Sequence, residues 1–314
     1  MKKVFLIILN WNGGKMTVNC LRSLEGIKTD GVDVEIIVVD NGSTDNSLKL
    51  IEDFKFKIED SHLRLKVLRN KTNLGFAEGN NKGIRYALEE GADFICLLNN
   101  DTRVSPDFLL HLIKVAESGE KIGIVGGKIY FERGYEFHKE RYKLNELGKV
   151  IWYAGGEIDW DNVYATHRGV DEVDCGQYEV QVETEYVNGC LMLIKREVFE
   201  KVGFFDPKYF LYFEENDFCQ KALKAGFKLV FTPKAVIWHL NAGSSGSGSP
   251  LHDYFLTRNR LLFGMRWAPL RSKIALIKES VKLLFSGRKW QKIGVKDFYL
   301  RKFGKGSWHS QNEK

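Results

Sequence analysis

"FICLLNNDT", residues 94–102, decides the fold. Phe94 to Leu98 are five apolar residues in an unbroken run, the length and composition of a strand buried on both faces. They lead directly into two amides, a carboxylate and a hydroxyl: Asn99, Asn100, Asp101 and Thr102. A strand covered on both sides belongs to a parallel sheet with helices above and below, and such sheets bind ligands beyond the carboxyl ends of their strands. The polar quartet therefore reads as part of a binding rim.

The sequence on either side repeats the pattern. Strands are expected at 4–9 (VFLIIL), 34–40 (VEIIVVD), 65–70 (LKVLRN) and 122–127 (IGIVGG), all in one parallel sheet covered on both faces. Helical spacing separates them: Val18, Leu21 and Leu24; Leu48, Ile51 and Phe54; Ile84 with Leu88 in a helix from about 76 to 90; and Phe108 to Ala116 after Ser105-Pro106. Beyond Gly127 the pattern loosens. A hairpin around Gly155-Gly156, a strand over 178–189, helices over 195–203 and 214–226, and two short strands within 228–239 are expected. The run NAGSSGSGSP, 241–250, reads as a flexible loop.

The strand ends share one chemistry. They read LNWNG after the first strand, VDNGSTD after the second, NKTNLGFAEGNN after the third and LNNDT after the fourth. Asp40, fixed at a buried strand end, can accept hydrogen bonds from a base or from ribose hydroxyls, and Trp11 offers a stacking face. Asp101 is a hard oxygen donor of the type Mg²⁺ or Mn²⁺ prefers, with phosphate and water completing the shell. A metal-bound nucleoside diphosphate suits both. Leu9, Trp11, Asn12, Asp40, Asn73, Gly75, Asn81 and Asn100 form the candidate donor-binding set. Residue by residue there are plainer readings: turn chemistry for Asp40-Asn41-Gly42, a helix-capping loop for Asn73, Gly75, Asn80 and Asn81, and core packing for Cys96 and Cys219. No G-x-G-x-x-G follows the first strand, and neither G-x-x-x-x-G-K-[ST] nor H-E-x-x-H occurs.

Charge divides the chain. Its net charge of +6 hides 15 Lys and Arg against 4 Asp and Glu from Leu251 onward, a basic appendage on a mildly acidic body. Five scattered cysteines without a C-x-x-C pair argue against a disulfide framework or a structural zinc. No stretch reads as a signal peptide or membrane span, so a cytoplasmic setting is expected.

VVDNGSTDNS, NLGFAEGNNKGI, LLNNDT, GFFDPKYFLYFEENDFCQKALKAGFKLVFTPKAVIWHL and RNRLLF stand in an order and spacing that resemble the family 2 glycosyltransferases, rhamnosyltransferase-like branch. The resemblance covers about residues 3–265. It implies the GT-A fold, a Rossmann-like α/β architecture with a mostly parallel sheet and helices on both faces, plus the basic helical appendage at 251–314. Residues 1–127 would form the nucleotide-sugar half and 128–245 the acceptor and base half of one domain, 1–245. The implied reaction is inverting transfer from a nucleoside diphosphate sugar, dTDP-rhamnose or a UDP-sugar, to a glycan or lipid-linked acceptor, with Mn²⁺ or Mg²⁺ and no nucleic acid. Asp101 matches the last position of the metal motif, with Asn99 where an acid is common. His239 resembles a second metal ligand. Glu215 takes the place of the catalytic base, with Glu214 and Asp217 beside it, although first-turn acids also suit a helix dipole. A sugar nucleotidyltransferase and a catalytically silent scaffold of the same fold are the alternatives.

In the appendage, Ile274, Ile277, Val281, Leu284 and Phe285 recur at helical spacing with Lys273, Lys278 and Lys282 outside the stripe. This helix either packs on the body or lies at a membrane interface, where Trp267, Trp290 and Trp308 would suit the headgroup boundary.

Overall fold

The computed structural model describes residues 1–57, 64–240 and 248–309; of the expected loop at 241–250, residues 241–247 lie outside the described residues. The first half alternates as expected: β1 (Lys2–Asn10), α1 (Gly14–Leu24), β2 (Val32–Asp40), α2 (Ser47–Lys57), β3 (Arg64–Arg69), α3 (Gly75–Glu89), β4 (Phe94–Leu98). A short β5 (Thr102–Val104) follows, then α4 (Phe108–Glu117) and β6 (Ile122–Phe131). β1, β2, β3 and β4 are parallel neighbours in the order β3-β2-β1-β4, and every residue of β4 is buried. Alternation along β1 sends Ile7 and Leu9 toward α3 at Gly83 and Gly79, while Asn10 meets Thr17 of α1, so helices cover opposite faces of the sheet.

The second half departs from expectation. It contains β7 (Ile151–Tyr153), β8 (Gly156–Asp159), β9 (Tyr164–His167), β10 (Val182–Glu183), β11 (Leu191–Lys195), α5 (Arg196–Val202), α6 (Glu214–Lys224) and β12 (Lys228–His239). The five first-half strands are not continuous neighbours, because β11 inserts antiparallel between β4 and β6. Residues 150–160 form no hairpin at Gly155-Gly156: β7 pairs with β6, and β8 turns at 160–163 to pair with β9. The strand expected over 178–189 is reduced to two residues. Conversely, the two strands expected within 228–239 are one, β12, running parallel to β6 with a register shift between Thr232 and Val236. Pro233 lies in that shift, where its missing N–H breaks no ladder bond. β6 crosses position 127/128, so residues on both sides of the expected division belong to one sheet.

The appendage is α7 (Pro250–Trp267), α8 (Leu270–Ser286) and α9 (Lys289–Tyr299). Ser249 caps α7 by accepting from His252 N at 3.2 Å, with Pro250 at the first helical position. Trp290 and Trp308 pack with Tyr254, Phe255 and Phe210, and Trp267 donates its indole N–H to Asp217 at 2.8 Å. These tryptophans therefore bind the appendage to the body and do not form an outer belt. Among the described residues no helix is long and apolar enough to cross a membrane.

The sheet has little tolerance where β6 meets the β12 shift. A Cβ on Gly127 would lie 2.3 Å from the Ala235 carbonyl oxygen and 2.7 Å from Leu191 Cδ2. Gly127→Ala is expected to lower stability by about 1–3 kcal/mol, through overpacking against backbone that has no free rotamer to yield. Urea denaturation of the two proteins checks it.

Candidate active site

The strand ends form a floor of linked amides. In the parallel register Asn10 stands beside Asp40, and the ladder continues with Asn70 N donating to Asp40 O at 2.8 Å. Asn10 Nδ2 donates to Asp40 Oδ1 at 2.9 Å and to Ser43 Oγ at 3.1 Å; its Oδ1 accepts from Thr17 Oγ1 at 2.8 Å, and Thr17 accepts from Asn100 Nδ2 at 3.0 Å. One chain of polar groups thus fixes Asp40 and Asn100 relative to each other across β1. Asn12, at φ 51°, accepts from Thr44 N at 2.8 Å and so braces the 43–44 turn. Trp11 projects from the same loop, 40% exposed, and Leu9 is half-buried against Gly79.

β5 places the candidate metal ligands. Its antiparallel pairing sets Thr102 opposite His239, bringing His239 Nε2 to 3.1 Å from Asp101 Oδ1. Two ligand atoms at right angles, each about 2.1 Å from an octahedral ion, stand about 3.0 Å apart, so the pair fits Mg²⁺ or Mn²⁺. Nδ1 of His239 is buried without a hydrogen-bond partner among the described residues. Among those residues no third His, Cys, Asp or Glu joins the pair, which leaves the other coordination positions to phosphate and water.

Behind His239 lies a group without a counterpart in the sequence reading. Trp152 meets both His239 and His167 edge-on, with centroids 4.6 and 4.3 Å away. Burial pushes His167 down to about 4, so its ring is neutral at neutral pH. Nδ1 faces the Trp152 carbonyl at 3.0 Å and must carry the proton; Nε2 then accepts from Asn188 Nδ2 at 3.4 Å. Asn188 Oδ1 in turn accepts from Cys190 N, and Cys190 O accepts from Asn99 N at 3.0 Å. The 188–190 turn thereby touches the metal motif on one side. On the other, a Cβ at Gly189 would come within 4.0 Å of Glu215 Cβ.

Glu214 and Glu215 open α6. Burial, and then repulsion from Glu215, raises the Glu214 carboxyl well above the usual carboxylate range; burial raises Glu215 to about 7. Each has an Oε2 sealed from solvent with no hydrogen-bond partner among the described residues. The backbone leading into them is strained, since Phe210, Tyr212 and Phe213 all have φ between 66° and 71°. α7 holds it: Asn259 Nδ2 donates to the carbonyls of Tyr209, Leu211 and Tyr212, and Arg258 to those of Lys208 and Tyr209.

Several sequence-derived site residues make hydrogen bonds within the protein. Asp217 is fully buried and accepts from Tyr209 OH, Arg266 and Trp267, with Lys221 Nζ 3.1 Å from its other oxygen, so it anchors α7 to α6. Asn81, also fully buried, spends its amide on the Phe205 backbone, donating to its carbonyl at 2.9 Å and accepting from its N–H at 3.1 Å. Gly75, at φ 81°, admits the Phe210 carbonyl to the start of α3, where Phe76 N donates to it at 2.6 Å. Asn73 accepts from Gly75 N and from Asn41 Nδ2, a capping role. The sequence reading assigned no role to Asn10, Arg258 or Asn259, although the quoted LNWNG and RNRLLF contain them; their partners lie far off in the chain.

The profile described as glycosyl transferase family 2 matches residues 5–203. The chain belongs to that family. This family 2 chain is 24% identical over 269 residues to the dTDP-rhamnosyl transferase RfbF of Shigella flexneri, covering 82% of itself and 79% of that protein. It is 23% identical over 227 residues to the N-acetylglucosaminyl-diphospho-decaprenol L-rhamnosyltransferase of Mycobacterium tuberculosis, covering 70% of each. Of two further curated relatives it spans 22% and 62% of the length. Among solved structures, the mannosyltransferase PcManGT of Pyrobaculum calidifontis, in complex with GDP-Man and Mn²⁺, aligns over 98% of this chain and 76% of its own at 15% identity, with a TM-score of 0.56. The fold is GT-A.

The acid pair gives this family 2 chain a stability signature. Both carboxyls bind protons more tightly folded than unfolded, so stability is highest below their ordinary value of 4.5 and falls as pH rises through about 7. Glu214→Gln/Glu215→Gln, which cannot ionise, is expected to exceed the parent by about 1–3 kcal/mol at pH 8 and to match it near pH 4.5. Urea titrations at the two pH values measure the difference.

Proposed function

We propose that the chain is an inverting glycosyltransferase that moves a sugar from a nucleoside diphosphate donor to a hydroxyl of a glycan or lipid-linked acceptor. The observation that carries this is the 188–190 turn: its Cys190 carbonyl accepts from Asn99 N, two residues before Asp101, and its Gly189 lies beside Glu215, whose carboxyl is raised to about 7. The rhamnosyl transfer named for two relatives supports dTDP-rhamnose as donor, with a UDP-sugar as the other candidate. Asp40, at the end of β2, faces the base or ribose, and Trp11 supplies a stacking surface.

The acceptor oxygen attacks the anomeric carbon on the face opposite the diphosphate. As that C–O bond forms, the bond to the diphosphate breaks and the electron pair leaves with it. Glu215 takes the hydroxyl proton; poised at about 7, it is ionised in a useful fraction at neutral pH. Burial and its neighbour raise the Glu214 carboxyl well above the usual carboxylate range, which leaves that role to Glu215. Asp101 and His239 would hold Mn²⁺ or Mg²⁺, which supplies positive charge against the departing diphosphate. Peripheral membrane contact through the appendage belongs to the same reading, since a lipid-linked acceptor lies at a bilayer surface.

Incubation with dTDP-, UDP- and GDP-sugars and Mn²⁺ tests the reaction class: release of nucleoside diphosphate is expected, and pyrophosphate chemistry or no turnover with any donor would refute it. Glu215→Gln should lower kcat by about 10²-fold while leaving donor affinity nearly unchanged, as single-turnover kinetics and calorimetry would register. Asp101→Asn should abolish metal-dependent donor binding in calorimetry with a melting temperature close to the parent's, because the residue sits at the rim.

A further inference from the structure

We propose that one face of α8 is the surface by which the protein seats on an anionic membrane. It deepens the reading of a lipid-linked acceptor, but rests on packing and charge alone. α8 turns a small face inward: Ser272, Leu276 and Ser280 are buried, and Leu276 packs on Gly264 of α7. Its larger apolar residues point elsewhere. Leu270, Ile274, Ile277, Val281 and Phe285 are between 41% and 80% exposed, an order opposite to that of a helix folded only onto its own body. At about 100° per residue the exposed stripe is centred about 140° from the buried one.

The charges complete the pattern. Arg271, Lys278 and Lys282 project along one edge of the exposed stripe and Lys273 along the other, and none of the four makes an ion pair among the described residues. The only acid in α8, Glu279, lies away from the stripe and pairs with Arg260 of α7 at 2.8 Å. An apolar strip edged by unspent cations fits acyl chains beneath anionic headgroups, which lysine and arginine approach favourably. It fits a second copy poorly, because a two-fold contact through the stripe would set these like charges against each other. At 17 residues with four cations, the helix would lie on the bilayer and not cross it.

The test is sedimentation of the full chain with phosphatidylcholine vesicles with and without phosphatidylglycerol, at low and high salt. Binding is expected only with phosphatidylglycerol and should weaken with salt. Ile277→Glu/Phe285→Glu and Lys278→Glu/Lys282→Glu should each reduce partitioning about tenfold or more, since each replaced cation is worth about 1 kcal/mol at such a surface. Both pairs alter exposed positions, so melting temperatures and the thermal shift given by a nucleoside diphosphate sugar should stay unchanged; that shift reads the donor site separately from the membrane. Absence of binding to either vesicle, or parental binding by Ile277→Glu/Phe285→Glu, overturns the proposal. So does light scattering that shows a lipid-free dimer dissolved by that same variant, which would assign the stripe to a second copy.

Discussion

The architecture of the site depends on the grip of Arg258 and Asn259 on the backbone that precedes α6. Residues 208–213 leave most of their carbonyls without a partner inside the segment, because left-handed φ values at Phe210, Tyr212 and Phe213 turn the chain out of any regular ladder. Asn259 and Arg258 supply the missing donors, and the start of α3 supplies another through Phe76 N. Burying a guanidinium is costly unless its N–H groups are used. Arg258 also donates to Tyr254 OH and to the carbonyls of Lys302 and Gly304, so its charge is spread over backbone dipoles from two distant segments. The outcome is that Glu214 and Glu215 sit where a helix dipole alone would favour their ionisation, yet burial wins and holds both as acids above the usual range.

Much of this was legible in the sequence. Apolar runs such as VFLIIL and FICLL identify strands because burial on both faces forbids polar interruption, and the rim follows from the abrupt change of chemistry at Asn10, Asp40 and Asn99. What periodicity cannot supply is order across the sheet. The antiparallel entry of β11 between β4 and β6 is a choice of partner, made by tertiary packing and silent in the local pattern. The Gly155-Gly156 pair marks a change of direction, but its flanks join different partners, so a turn signal was read as a pairing signal. β5 is three residues long, below what alternation resolves, and it is the element that sets Asp101 against His239.

The candidate residues divide for the same reason. Asp40, Asn100, Asp101, His239 and the Glu214–Glu215 pair are at strand ends or a helix start whose positions the pattern already indicated. Asp217 lies three residues from Glu214 in the same first turn, and only the arrival of Arg266 and Trp267 from α7 gives it a structural role. Asn81 resembles a ligand amide in every local respect; its partner, the Phe205 backbone, is far off in sequence. Polar residues declare that they need a partner, and the partner's identity comes with the fold.

The late position of these partners has a consequence for biosynthesis. On the ribosome, the edge of β4 stays open until residues 191–195 emerge, and an unpaired edge on a growing chain is a site for mispairing. The loop before α6 then lacks its donors until Arg258 and Asn259 follow, and Arg258 lacks part of its shell until Lys302 and Gly304 appear. A nascent chain can thus assemble β1 to β4 early, while the acids at α6 are set in place only after residues 258–304 have emerged. A chain that stops before those residues would carry formed strands and an unbraced turn before α6.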